Sequence, residues 1–276
     1  MTEGTMKHLI ICDLDGSLLN HEGDVTAYSK KVLRHLEKLG HKVIIATGRP
    51  HSGAIQIYHD LGIYNVLITD NGGSIQHPKD DTFETKKTFI PKTITHQLFQ
   101  NTYHYLDSAF YSDDKTVYAY KYDPRLRMFF SSLDKRTVID KPFTEFDVEA
   151  TGIIYLVQTP FIDTFESYFK ETFSDTLSFR MWGKDHKHAI YEIYLKHISK
   201  ASAIEYVRTY YNIEHKYTIA FGDGVNDIEM IEYAHLGVAM KNAMPEVLAV
   251  CNDTTKDTND EHGIANYLVN YFNLKL

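Results

Sequence analysis

KHLIICDLDGSLL, Lys7 to Leu19, decides how the rest of the chain is read. Leu9, Ile10, Ile11 and Cys12 form a short unbroken apolar run, the texture of a strand buried on both faces of a parallel sheet. The run ends in two carboxylates one residue apart, Asp13 and Asp15, with Gly16 directly after them. Asp is a poor strand former and Gly a break, so the chain leaves the sheet here. Two anions side by side at a strand's carboxyl end repel, and one pKa rises unless a cation neutralises the pair. Taken alone, the pattern is also that of a solvated acidic turn.

Outward from this stretch, Val25, Tyr28, Val32, Leu36 and Leu39 recur at helical spacing, with Thr26 as N-cap and Gly40 as the residue just past the end. Lys42 to Pro50, KVIIATGRP, reads as a second buried strand with a polar end, and Pro50 suits the first turn of a helix reaching Leu61. Val66 to Ile68 is a third run, ending in TDNGG at Thr69 to Gly73. Strand and helix alternating over short connections is the pattern of a doubly wound parallel sheet, in which ligands bind beyond the carboxyl ends of the strands.

From about Thr82 to Ile190 the texture changes. Strand-like pieces (Val117 to Tyr122, Gly152 to Gln158, Leu177 to Trp182) mix with amphipathic helical ones (Thr93 to Tyr105, Ile162 to Phe173), as in an inserted α+β domain. Its many Tyr and Phe residues read as core packing rather than as cofactor-stacking surfaces. The parallel pattern then resumes. Ser199 caps a helix carrying Ile204, Val207 and Tyr211 on one face. Lys200 falls in its first turn, against the helix dipole, which makes sense if an anion sits there. YTIAFGDGVND, Tyr217 to Asp227, is another apolar strand running into glycines and carboxylates, followed by a helix from Ile228. A strand at Leu236 to Met240 and a helix from about His262 to Phe272 complete the sheet.

The 276 residues suffice for one large domain or two modest ones, and 24% charged residues is ordinary for a globular protein. A net charge of -8 argues against a nucleic-acid or anionic-membrane surface. Cys12 and Cys251 are too few and too far apart for a disulfide framework. With no apolar run near membrane-spanning length and no signal-peptide core at the N-terminus, a cytoplasmic protein is expected.

Four strand ends would then meet: Asp13 and Asp15; Thr47 and Gly48; Asn71 and Gly72; Asp223, Asn226 and Asp227. Several carboxylates in one crevice require a cation, and all-oxygen ligation suits Mg²⁺, which takes one or two carboxylates plus a substrate phosphate. The Gly48 amide, the Thr47 hydroxyl and the Lys200 ammonium are groups a phosphoryl oxygen needs. An aspartate can itself be the nucleophile.

DLDGSLL, ATGR, SKA and GDGVND resemble, in matching order, the four motifs of the haloacid dehalogenase superfamily of phosphatases. The insertion between the second and third motifs is similar to the cap of the Cof-type subfamily (type IIB), and TDNGG resembles that subfamily's Asn-Gly sequence before its cap. The resemblance spans nearly the whole chain. It implies a Rossmann-like α/β core of residues 1–81 and 190–276 with an inserted α+β cap of residues 82–189. It also implies a Mg²⁺-dependent phosphatase acting on a small phosphorylated metabolite, a sugar phosphate or similar, through an aspartyl-phosphate. By that resemblance Asp13 is the nucleophile and Asp15 the acid and base. Asp13, the Asp15 carbonyl, Asp223 and Asp227 hold the metal. Thr47, Gly48 and Lys200 bind phosphoryl oxygens, and Asn226 orients them. Ala201 departs from the subfamily, which commonly has Gly after the lysine.

The competing readings are a phosphomutase with the same nucleophile and a non-catalytic metabolite-binding protein. A monomer or weak homo-oligomer is expected. Arg180, Trp182 and Lys184 are minor candidates for substrate contact. Asp185, His186 and His188 could form a zinc site, although so tight a cluster more often marks a polar hairpin.

Overall fold

The computed structural model describes residues 7–113, 115–124 and 137–275. The chain divides into two compact units, whose described residues fall within Met1–Gly48, Ala54–Lys86 and Ser199–Leu276 for the first, and Arg49–Gly53 and Lys87–Ile198 for the second. The architecture is the expected one, a doubly wound parallel core with an inserted α+β unit.

In the first unit the apolar runs become strands β1 (Leu9–Cys12), β2 (Lys42–Ala46) and β3 (Leu67–Thr69), joined through helices α1 (Ala27–Lys38) and α2 (His51–Leu61). The Thr26 hydroxyl accepts the Ser29 N–H and starts α1. Three more parallel strands follow the insertion: β12 (Thr218–Gly222), β13 (Leu236–Ala239) and β14 (Asp253–Thr254). Among the described residues the sheet runs β14-β13-β12-β1-β2-β3-β4-β5, where β4 is Ser74–Gln76 and β5 is Lys86–Lys87. Successive side chains of a strand point to opposite faces, so one sheet feeds two cores. Ile10, Cys12, Val43 and Ile45 pack with α1, α2 and the terminal helix α8 (Gly263–Tyr271). Leu9, Ile11, Ile44 and Ala46 pack with α5 (Lys200–Tyr210) and α6 (Ile228–Tyr233).

The register places the site. Cys12 lies beside Ile45 on one flank and Phe221 on the other, so Asp13 leaves the sheet level with Ala46 and Gly222. TDNGG differs from its expected form. Asp70 and Asn71 take left-handed conformations, φ 52° and 51°, and turn the chain straight back into β4, which pairs antiparallel with β3. Asn tolerates that region because its short side chain bonds locally. The apolar run before the turn is readable in the sequence; the three-residue return strand, SIQ, is too short to show a period.

The second unit has a sheet ordered β10-β11-β9-β6-β7-β8 among the described residues, antiparallel except between β7 (Thr116–Tyr120) and β8 (Thr137–Asp140). The other strands are β6 (Leu106–Ser112), β9 (Ile153–Gln158), β10 (Leu177–Lys184) and β11 (His188–Leu195). Helices α3 (Lys92–Thr102) and α4 (Ile162–Phe173) cover one face, and the rings pack on one another: Phe165 centres 5.0 Å from Tyr191, and Phe99 stacks on Phe143 at 4.9 Å. Residues 185–187 lie between β10 and β11. Asp185 accepts the N–H groups of Lys187 and His188, and His188 Nε2 lies 2.5 Å from Asp107 Oδ2. The zinc reading fails on this geometry. His186 lies in the turn while His188 opens β11 with its Nε2 on Asp107, and among the described residues Asp185, His186 and His188 do not gather as a metal-binding group. Among the described residues no helix is long and apolar enough to cross a membrane.

Candidate active site

Asp13, Asp223 and Asp227 each offer a carboxylate oxygen within 4.8 Å of the other two. Asp13 extends β1, with its N–H bonded to the Phe221 carbonyl at 3.0 Å, while Asp223 and Asp227 follow β12. A glycine makes this approach possible. Gly16 sits at φ 74°, and a Cβ there would stand 2.2 Å from the Asp223 carboxylate. Ser17, one residue further, donates its hydroxyl to Asp223 Oδ1 at 2.8 Å.

Lys200 is wholly buried, and its Nζ donates to Asp13 Oδ1 at 2.5 Å and to Asp227 Oδ1 at 2.6 Å. The sequence pointed to an anion beside this lysine; the anions are two of the chain's own carboxylates. Burial works against the ammonium, but the two charges facing it win and hold it well above its ordinary value. Asp227 spends its other oxygen on the N–H groups of Asp223 and Gly224, both at 3.0 Å. It therefore ties the loop after β12 to Lys200.

One ammonium does not balance three carboxylates. Burial, and then the charge of Asp227, push Asp13 well above the usual carboxylate range, against the pull of Lys200. Burial lifts Asp223 to about 6, opposed by the Ser17 hydroxyl and reinforced by Asp227. The cluster lacks two positive charges, and its free donors are oxygens. That is the deficit a hard divalent cation fills, so the residues fit Mg²⁺.

Asp15 is exposed, at the tip of the turn after β1, and its charge acts on Asp223. Thr47 is buried, giving its N–H to the Ile68 carbonyl and accepting the Asn71 N–H, at 3.0 and 3.1 Å. Gly48 lies against Asn71 and Asn226; a Cβ there would stand 3.0 Å from Asn71 Oδ1 and 3.4 Å from Asn226 Nδ2. Asn226 donates to Asn71 Oδ1 at 3.0 Å, joining the ends of β3 and β12. Of the eight residues expected in the site, Asp13, Asp223, Asp227 and Lys200 form one bonded cluster, while Thr47, Gly48 and Asn226 meet around Asn71. Sequence reading gave Ser17 and Asn71 no role. A hydroxyl directly after Asp-Gly, and an Asn able to take a left-handed turn, were the available signals.

The chain belongs to the haloacid dehalogenase-like hydrolases, whose family profile matches residues 10–268. It is similar to the 5-amino-6-(5-phospho-D-ribitylamino)uracil phosphatase YitU of Bacillus subtilis, 29% identical over 275 residues that cover 98% of this chain and 99% of that one. It is also 29% identical over 287 residues to the phosphatase YwpJ of the same organism, covering 94% and 98% of the two chains. A haloacid dehalogenase-like hydrolase from Bacteroides thetaiotaomicron shares the fold, with a TM-score of 0.81 at 23% identity over 97% of this chain and 100% of that one.

Proposed function

We propose that this hydrolase is a Mg²⁺-dependent phosphatase that cleaves a small phosphorylated metabolite, a sugar phosphate or a related polyol or nucleotide-pathway intermediate, through an aspartyl-phosphate. The observation that carries the reading is the trio of carboxylates at the carboxyl ends of parallel strands, two of them buried and paired with Lys200. The relative YitU, named for a phosphorylated ribityl substrate, supports the substrate class.

Asp13, Asp223 and the Asp15 carbonyl would hold the metal, with Asp227 beside them. Bound there, Mg²⁺ supplies charge neutralisation for the phosphoryl oxygens. Lys200 pulls Asp13 towards its ionised form and aims it, so that with the metal's charge added an Asp13 oxygen attacks phosphorus as the bond to the leaving alcohol breaks. Asp15 gives that alcohol its proton, then takes one from the water that attacks the phospho-enzyme and frees Asp13. The Thr47 hydroxyl, the Gly48 amide and Lys200 neutralise the remaining phosphoryl oxygens, with Asn226 holding their frame. The second unit is assigned the choice of leaving group. Free Cys12 and Cys251 accord with a reducing compartment such as the cytoplasm.

The test is release of inorganic phosphate from a panel of sugar and polyol phosphates, with Mg²⁺ and with a chelator. Metal-dependent turnover that vanishes in Asp13→Asn is expected. No release from any ester refutes the phosphatase reading, and an isomerised ester in place of free phosphate makes the protein a mutase.

A further inference from the structure

The proton-carrying role given to Asp15 asks more of its surroundings than the acidic trio supplies. Asp15 (φ −77°, ψ 123°) and Gly16 (φ 74°, ψ −2°) are the central pair of a type II turn. Asp15 itself is an exposed residue.

Two bonds from a distant part of the chain reach this stretch, and a third ties their donors together. Asn242 Nδ2 donates to the Gly16 carbonyl at 2.7 Å, across 226 residues of sequence. Asn259 Nδ2 donates to the Leu19 carbonyl at 2.9 Å, where the turn rejoins regular backbone. The backbone N–H of Asn259 donates to Asn242 Oδ1 at 3.1 Å. That last bond sets the amide of Asn242, because only its oxygen can accept and only its nitrogen can serve Gly16. The same short stretch reaches the metal side of the site: the Met244 N–H bonds to the Asp223 carbonyl at 2.9 Å.

We propose that Asn242 is a positioning residue for Asp15. It touches no reacting atom; it holds the Gly16 carbonyl, and with it the turn that presents the Asp15 carboxyl to the leaving group. The segment Asn242–Met244 thus keeps the acid turn and the Asp223 loop in one frame. The chemistry requires an amide. Aspartate would set an anion against the Gly16 carbonyl, and alanine would leave that carbonyl to water.

The inference rests on the phosphatase reading, and the experiment separates the two. kcat/KM is measured with Mg²⁺ for wild type, Asn242→Ala and Asn242→Asp on p-nitrophenyl phosphate and on an alkyl phosphate such as glycerol phosphate. It reports the first phosphoryl transfer and not the shared hydrolysis of the phospho-enzyme. Nitrophenolate leaves with little help from an acid, whereas an alkoxide needs the Asp15 proton. Both variants should lose about tenfold on the alkyl ester and no more than about twofold on the nitrophenyl ester. Equal losses on the two esters, or none on either, overturn the positioning role. A wild type inert towards both esters fails the phosphatase reading first, and the positioning role with it. Should Asn242→Ala not fold, Asn242→Asp, nearly the same size, carries the comparison.

Discussion

In the first unit six of the described strands run parallel, β1 and β12 stopping on carboxylates; in the second they run mostly antiparallel and close on aromatic rings. The parallel sheet holds Asp13, Asp227 and the whole of Lys200 out of water at its carboxyl edge. The other sheet fills its core with Tyr155, Tyr191, Phe143, Phe165 and Phe169. Ring burial is a source of stability at roughly 25 cal/mol per Å² of apolar surface, whereas burying an ion costs several kcal/mol even when it is paired. A fold does not keep three carboxylates around one lysine for stability. The contrast assigns the two regions different tasks, and substitutions should separate them.

The largest effect belongs to Asp13→Asn, which removes the attacking oxygen with hardly any change in volume. Turnover should fall on the order of 10⁴-fold or more while the circular dichroism spectrum stays that of wild type. In the second unit Phe165→Ala should act the other way round. Phe165 is fully buried against Tyr155, Phe169, Phe179 and Tyr191, so the cavity should cost about 3–5 kcal/mol. The fluorescence of Trp182, the only tryptophan in the chain, reports from that unit, and its denaturant midpoint should drop.

Lys200→Met tests both sides of the contrast. It leaves Asp13 and Asp227 buried without their ammonium, a loss of about 3–5 kcal/mol by thermal or denaturant unfolding. The sign with pH follows from Asp13, whose folded-state pKa lies above its unfolded value. Proton uptake therefore favours the folded chain as pH falls, more so once the ammonium is gone, and the deficit should shrink as the pH is lowered. A deficit independent of pH would mean that the lysine acts through packing alone.

The smallest effect lies at the amino-terminal end of the same parallel sheet. His41 is buried, its Nδ1 accepts the His8 N–H at 3.1 Å, and burial, with His8 adding, lowers it from 6.5 to about 4. The unfolded chain takes up a proton below 6.5 that the folded chain refuses until about 4, so stability should decline across that window. His41→Gln should lose less over the same range, as seen in paired denaturation curves.

The parallel core is legible in the sequence because its central strands are apolar runs closed by glycine or a carboxylate, as at Leu9–Cys12 and Thr218–Gly222. The second unit is less so. Helix α4 stands out through Phe165, Phe169 and Phe173 at helical spacing, but β6 and β11 bury residues on both faces and show no clean alternation. Within the site, Asp13, Asp223 and Asp227 announce themselves by charge at strand ends. Lys200 is visible as misplaced, yet its partners lie 187 and 27 residues away and carry no local signature. Ser17, Asn71 and Asn242 are tied in by long-range hydrogen bonds, which leave no periodicity to read.

The account stands most directly on where the phosphoryl group goes. Asp15→Asn, which on this account should slow hydrolysis of the covalent intermediate, can be mixed with p-nitrophenyl phosphate and Mg²⁺, quenched in acid and analysed by peptide mass spectrometry. A phosphoryl group on Asp13, in the peptide containing Lys7 to Leu19, is the predicted result, and it should disappear with chelator. Phosphate found on another residue, or steady turnover with Asp13 unmodified, would contradict it.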